Sequence, residues 1–172
     1  MKLPWSRRPE PAFSVLMVCM GNICRSPTAE AVLRQRLDSR GLADRIAVDS
    51  AGTYAGHAGS PPDPRAQRHA ARRGYDLSRL RARAVRPEDF ARFGLVLAMD
   101  EDNLASLERL RPAGAGDVRL LMSFAGRADL PREVPDPYYG GPDGFDHVLD
   151  LVEAACDGLA EHLQREQGNF RG

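Results

Sequence analysis

Apolar positions along the chain follow two alternating rhythms. The run FSVLMVC (13–19) is apolar at consecutive positions, as a strand covered on both faces requires. It leads into TAEAVLRQRL (28–37), where Ala29, Val32, Leu33 and Leu37 recur at helical spacing. Ser26 is placed to cap that helix, with Pro27 at its first position where a missing N–H costs nothing, and Gly41 stops it. RIAVDSA (45–51) predicts a second strand, running into the Gly/Pro-rich loop GTYAGHAGSPPDP, and a helix from about Arg65 to Arg73 ends at Gly74. FGLVLAM (93–99) predicts a third strand, after which Asp100 can cap a helix carrying Leu104, Leu107 and Leu110. VRLLMSF (118–124) predicts a fourth strand, and the Pro-, Gly- and Asp-rich stretch 125–144 reads as loop. A last helix, about Phe145 to Gln164, sets Val148, Leu151, Val152, Ala155, Leu159 and Leu163 on one face.

Strands that alternate with helices and are apolar on both sides define an α/β fold. The expected architecture is a three-layer sandwich with a four-stranded parallel sheet flanked by helices on both faces. Ligands in such folds bind beyond the carboxyl ends of the strands, which is where Cys19 falls. The expected organisation is one domain over residues 13–164, with a Pro-rich lead-in (1–12) and a short tail (165–172).

Composition narrows the function classes. A chain of 172 residues with 42% hydrophobic and 28% charged positions is long enough for a sizeable core and is not read as disordered. Its 24 basic and 24 acidic residues cancel, which argues against a generic nucleic-acid binder; the Arg-dense stretch 65–92 reads as a solvated face. No apolar run approaches a membrane span. The basic N-terminus precedes an apolar run too short for a secretory signal, so a cytoplasmic location is expected. Three cysteines without a CxxC pair, and four scattered histidines, match neither a disulfide framework nor a zinc site; no metal or cofactor is expected.

The chemistry concentrates in VCMGNICRSPTAE (18–30). A Cys followed six places later by Arg is weak evidence in a chain whose 24 basic residues include Lys2 as the single lysine. Cys19 read alone is equally a buried core residue. Its context raises the signal. The segment 20–26 joins a strand end to a helix start, where unpaired backbone amides form an anion cradle. The lysine and second glycine of a nucleotide-binding loop are absent, and Arg25 supplies a fork that matches a tetrahedral oxyanion. Beside Arg25 and a helix N-terminus the thiolate of Cys19 is favoured, in line to displace a phosphate ester. In VPDPYYGGPDGF (134–145), Asp136 is held between two prolines as a candidate proton donor. Help to a tyrosine leaving group of pKa about 10 is worth about 10²–10⁴-fold.

The joint pattern V-C-M-G-N-I-C-R-S-P with a late D-P-Y-Y resembles the low-molecular-weight protein tyrosine phosphatases, and so do V-D-S-A-G-T, P-D-P-R and M-D-E-D-N-L. The resemblance covers about residues 13–164 and implies hydrolysis of phosphotyrosine through a phosphocysteine intermediate. It implies Cys19 as nucleophile, Arg25 as phosphate-binding arginine and Asp136 as general acid and then base. Asn22 would hold the loop in shape, Ser26 would hydrogen-bond the thiolate, and Met20, Gly21, Ile23 and Cys24 would present loop amides. Cys24 matches the family's second cysteine, implying a reversible disulfide with Cys19 under oxidation; a loop residue packing inward is the alternative. Tyr138 would line the substrate cleft, with Tyr54, His57 and Tyr139 beside it, and Tyr138 and Tyr139 resemble sites that kinases modify. Phosphotyrosine proteins would be the partners, among them a bacterial tyrosine kinase or an export system.

Two positions depart from the family pattern. Many members carry an aromatic residue near Gly56, and many a histidine where this chain has Leu80. The first bears on the cleft wall, with Tyr54 and His57 as substitutes, and the second on loop rigidity. An arsenate reductase of this fold would need two further cysteines, and none lies between residues 25 and 155. A phosphoarginine phosphatase would carry threonine in place of Ile23. A phosphopeptide-binding module would have no use for Asp136.

Overall fold

The computed structural model describes residues 10–138 and 140–170. The first nine residues of the expected lead-in, Tyr139 and the last two residues lie outside the described residues.

The chain runs β1 (Phe13–Cys19), α1 (Arg25–Ser39), β2 (Ile46–Gly52), α2 (Pro64–Arg72), α3 (Asp89–Arg92), β3 (Leu95–Ala98), α4 (Glu101–Leu110), β4 (Val118–Leu120) and α5 (Pro142–Glu166). The four strands form one parallel sheet in the order β2-β1-β3-β4. This is the expected α/β architecture. Period-two geometry sends Val15, Met17 and Cys19 of β1 into a core with residues of α1, α2 and α5. Leu16 and Val18 face the opposite core, with Phe90 of α3 and Leu107 of α4. Both faces are therefore covered, and the central β1 is fully buried from Val15 to Val18.

The chain leaves β1 for β2 on one side and returns to β3 on the other, so the strand order reverses between β1 and β3. Loops diverge there and leave a crevice at the carboxyl ends. Register places Cys19 opposite Gly52 and Val18 opposite Ala98, so the loops after β1, β2 and β3 start level with one another.

Four local expectations are corrected. Helix α1 begins at Arg25, so Ser26 is not its cap and Pro27 is its third residue; no side chain caps it. The Ser26 hydroxyl is engaged instead by Cys19 and Asn22. The fourth strand stops at Leu120 and a 3-10 turn, Leu121–Phe124, follows. As an edge strand β4 pairs with β3 alone, and by curling over it buries Leu121 and Met122 in the core beside α5. That turn sits on bare backbone: a Cβ at Gly158 would lie 1.8 Å from the Phe124 carbonyl oxygen. Strand β3 spans Leu95–Ala98 rather than 93–99. Helix α5 starts at Pro142, with Gly141 before it, three residues earlier than expected. It also passes residue 164 to Glu166, and a further 3-10 turn brings Phe170 to stack on Phe13 with ring centroids 4.4 Å apart.

Candidate active site

A cavity of about 400 Å³ opens at the carboxyl end of β1, lined by Cys19, Met20, Gly21, Ile23, Cys24, Arg25, Tyr54, His57, Asp136 and Tyr138. Its floor is sulfur. The backbone N–H of Asn22 donates to Cys19 Sγ at 3.2 Å, and Ser26 Oγ lies 3.0 Å from the same atom. Either Cys19 or Ser26 can be the donor of the second contact, and the sulfur accepts the first from the loop backbone.

Asn22 and Ser26 do not line the cavity; they brace the loop from behind. Asn22 has φ 56°, the left-handed region that asparagine tolerates better than most side chains. Its Nδ2 donates to Ser26 Oγ (2.8 Å) and Ser50 Oγ (3.0 Å), and its Oδ1 accepts from the Arg83 N–H (3.0 Å). Ser50 Oγ then donates to Glu30 Oε1 at 2.7 Å, and Glu30 pairs with Arg34 at 2.7 Å. Burial pushes the Glu30 carboxyl above its ordinary range, against the pull of Ser50 and Arg34. Arg83 is itself fixed between Asp49 and Asp89. Leu80 packs against the core, and Asn22 makes its hydrogen bonds with Ser26, Ser50 and the Arg83 backbone. Gly52 permits the loop's close approach, since a Cβ there would lie 2.6 Å from the Met20 carbonyl oxygen.

Arg25, with only 3% of its side chain exposed, is gripped from the far side. Nη1 meets Asp100 Oδ2 at 2.5 Å and donates to the Val134 carbonyl at 3.0 Å. Burial works against its charge, but the Cys19 sulfur and Asp100 outweigh burial, so its pKa is raised. Asp100 also caps α4 by accepting from Asn103 N–H at 2.7 Å. Asp136 Oδ2 lies 3.7 Å from Arg25 Nη2, and its Oδ1 accepts from Tyr138 N–H at 3.0 Å. The loop bearing Asp136 is pinned by Val134 N–H to the Met99 carbonyl (2.8 Å) and by Arg65 Nη2 to the Tyr138 carbonyl (3.1 Å). Arg65 also reaches over the rings of Tyr138 and Phe145. Cys24 is buried, and burial, with Asp63, Cys19 and Asp136 nearby, pushes its thiol pKa up.

The anticipated residues thus divide by position. Cys19, Met20, Gly21, Ile23, Cys24, Arg25, Tyr54, His57, Asp136 and Tyr138 share one cavity, Asn22 and Ser26 support it, and Tyr139 is outside the described residues. Asp100, Ser50, Glu30 and Arg83 were not anticipated as parts of the site. Asp100 had a readable signal: it follows the strand across the reversal point from Cys19. The others enter through contacts between residues 20 to 61 positions apart, with no local signature.

A strand-end cysteine, a buried arginine and a carboxylate share one cavity at the carboxyl ends of a doubly covered parallel sheet on an α/β scaffold. The sequence profile of low molecular weight phosphotyrosine protein phosphatase matches residues 14–169, and the chain belongs to that family. It is 47% identical over 160 residues to a low molecular weight protein-tyrosine-phosphatase of Streptomyces coelicolor, covering 90% of this chain and 95% of that one. A protein tyrosine phosphatase from Entamoeba histolytica, solved with Hepes in its active site, superposes with a TM-score of 0.85 at 38% identity, covering 89% of this chain and 97% of that one. A Drosophila arginine phosphatase superposes with a TM-score of 0.80 at 34% identity, covering 87% and 97%.

Proposed function

We propose that this protein hydrolyses phosphotyrosine in proteins through a phosphocysteine intermediate. The observation that carries the reading is the Cys19 sulfur, hydrogen-bonded by Asn22 N–H and close to Ser26 Oγ on the floor of a cavity that also holds Arg25 and Asp136. The phosphate oxygens sit among the loop amides and Arg25, which stabilise charge on the equatorial oxygens as the bond order changes. The Cys19 thiolate attacks phosphorus; the S–P bond forms as the P–O bond to tyrosine breaks. Asp136 gives its proton to the departing phenolate oxygen. In the second step Asp136 takes a proton from water, the water oxygen attacks phosphorus, and the thiolate leaves from phosphate. The Asn22 and Ser26 donors make the sulfur a better leaving group at this stage.

Positive charge at the phosphate is supplied by Arg25 and backbone dipoles, so turnover of an aromatic phosphate should persist in chelator. Cys19→Ser should abolish turnover, and full activity in that variant would refute the mechanism. Asp136→Ala should slow phenyl-ester hydrolysis about 10²–10⁴-fold, and an unchanged rate would remove Asp136 from its role. Substrate trapping with Asp136→Ala would name the phosphoprotein; a tyrosine kinase or a component of an export system is the expected catch.

The likeness to an arginine phosphatase gives a second reading, hydrolysis of phosphoarginine. Against it, the cavity wall carries the apolar side chain of Ile23, which suits a phenyl ring better than a guanidinium. Side-by-side turnover of phosphotyrosine and phosphoarginine decides between them.

A further inference from the structure

Two loops distant in sequence border the cavity, the one after β1 and the one that carries Asp136. Arg65, in the first turn of α2, joins them. On one side the Asp63 N–H donates to the Ile23 carbonyl at 2.8 Å, which fastens Asp63 to the loop after β1. Asp63 also caps α2, its Oδ1 accepting from Arg65 N–H at 2.8 Å. The same carboxylate receives the Arg65 fork, Oδ1 from Nε at 3.1 Å and Oδ2 from Nη2 at 2.9 Å. That pairing holds the Asp63 carboxyl below its ordinary range. On the other side Nη2 donates to the Tyr138 carbonyl at 3.1 Å, and Tyr138 N–H donates to Asp136 Oδ1 at 3.0 Å.

Aromatic rings hold the guanidinium as well. Its Cζ lies 5.5 Å from the Tyr138 ring centroid and 4.9 Å from that of Phe145, near the start of α5. Phe145 is buried and stacks on His69, which bonds Asp146. The segment is therefore fastened at Val134 by Met99 and Arg25, at Tyr138 by Arg65, and at Phe145 by packing. Asp136 lies between the first two points with 39% of its side chain exposed. Arg25 Nη2, 3.7 Å away, is beyond hydrogen-bond range and does not orient it.

We propose that Arg65 is a positioning residue for Asp136: by tying the Tyr138 carbonyl to Asp63, and through Asp63 to the loop after β1, it sets where the proton donor stands relative to the thiol. A lysine would carry the charge without the fork, which here bonds carboxylate and carbonyl at once. The inference rests on the phosphatase reading for the role of Asp136.

Demand on a general acid rises with the basicity of the leaving oxygen, which supplies the test. The full chain is assayed with phenyl phosphate, whose leaving group has a pKa of about 10, and with 2,4-dinitrophenyl phosphate, whose phenolate departs without a proton. Arg65→Met should lower kcat/KM for phenyl phosphate about ten- to a hundredfold and change that of the dinitrophenyl ester less than about twofold. Arg65→Lys should fall between Arg65→Met and wild type, and Arg65→Met should bring no further loss in the Asp136→Ala background. Equal losses on both esters, or losses that multiply with Asp136→Ala, would overturn the proposal. Amide exchange at Tyr138, whose N–H is bonded to Asp136 Oδ1, is followed in the same proteins without substrate. It should quicken about tenfold or more in Arg65→Met, and an unchanged rate would refute the clamp. A wild-type chain that hydrolyses neither ester would overturn the phosphatase reading, and Tyr138 exchange would still decide whether Arg65 holds Asp136.

Discussion

Asp100→Asn is the substitution that most directly tests how Arg25 is held. Asp100 accepts two bonds, from Arg25 Nη1 on Oδ2 (2.5 Å) and from Asn103 N–H on Oδ1 (2.7 Å). Asparagine has one acceptor oxygen, so one of those bonds must go. Keeping the helix cap turns an NH₂ group toward Nη1, donor against donor; keeping the arginine forfeits a cap worth about 1 kcal/mol. Either way the charge partner of a side chain only 3% exposed is removed. Asp136, at 3.7 Å and with 39% of its side chain exposed, replaces little of it. Removing one member of a fully buried pair costs about 3–5 kcal/mol. Asp100 is 20% exposed and water can reach it, so the loss should be near the lower end. At about 2–4 °C per kcal/mol for a chain of this size, 3 kcal/mol lowers the melting temperature by about 6–12 °C. An arginine displaced by about 1 Å should also lower kcat/KM for phenyl phosphate by about ten- to a hundredfold. Calorimetry and steady-state kinetics on the same preparation check both numbers. A variant melting within about 2 °C of wild type, with kcat/KM changed less than about threefold, would show that Asp100 does not hold Arg25.

Asn22→Ala should lose the bonds to Ser26, Ser50 and Arg83 and place alanine at φ 56°, whereas Asn22→Gly relieves the backbone but not the bonds. The glycine variant should therefore be more stable than the alanine one by about 1–2 kcal/mol, with turnover reduced in both; equal stability would mean no strain at this position. The folded-state pKa of Glu30 is raised by burial, so its stabilising contribution is present below its unfolded pKa and is lost as pH rises through the folded one. Melting profiles should show Glu30→Gln gaining on wild type as pH rises from acid through that window, and parallel profiles would contradict the shift. Peroxide should convert Cys19 to a sulfenic acid that condenses with the Cys24 thiol, releasing water, so thiol treatment restores wild-type activity but not that of Cys24→Ser. Equal recovery in both proteins would remove Cys24 from that role.

The sequence by itself determined what depends on neighbours along the chain. The apolar run of β1, the loop from Met20 to Cys24 and the helix that follows are contiguous, so strand end, loop, thiol and Arg25 were legible as one unit. The alternation of elements was enough for the parallel sheet and its two covered faces, because strands buried on both sides have no other use for uninterrupted apolar runs. Local rules failed where a distant contact competed with them. Ser26 has a capping side chain, yet its hydroxyl is better satisfied by Cys19 and Asn22 in the interior. The apolar run 118–124 pairs for three residues and then turns, because burying Leu121 and Met122 beside α5 outweighs extending an edge strand. Tertiary structure also decided what grips the loop after β1. Asp100, 75 residues from Arg25, and Ser50 and Arg83, 28 and 61 residues from Asn22, act through bonds that exist only once the strands lie in order. Such bonds are set by three-dimensional distance, which a one-dimensional pattern of polar and apolar positions does not encode.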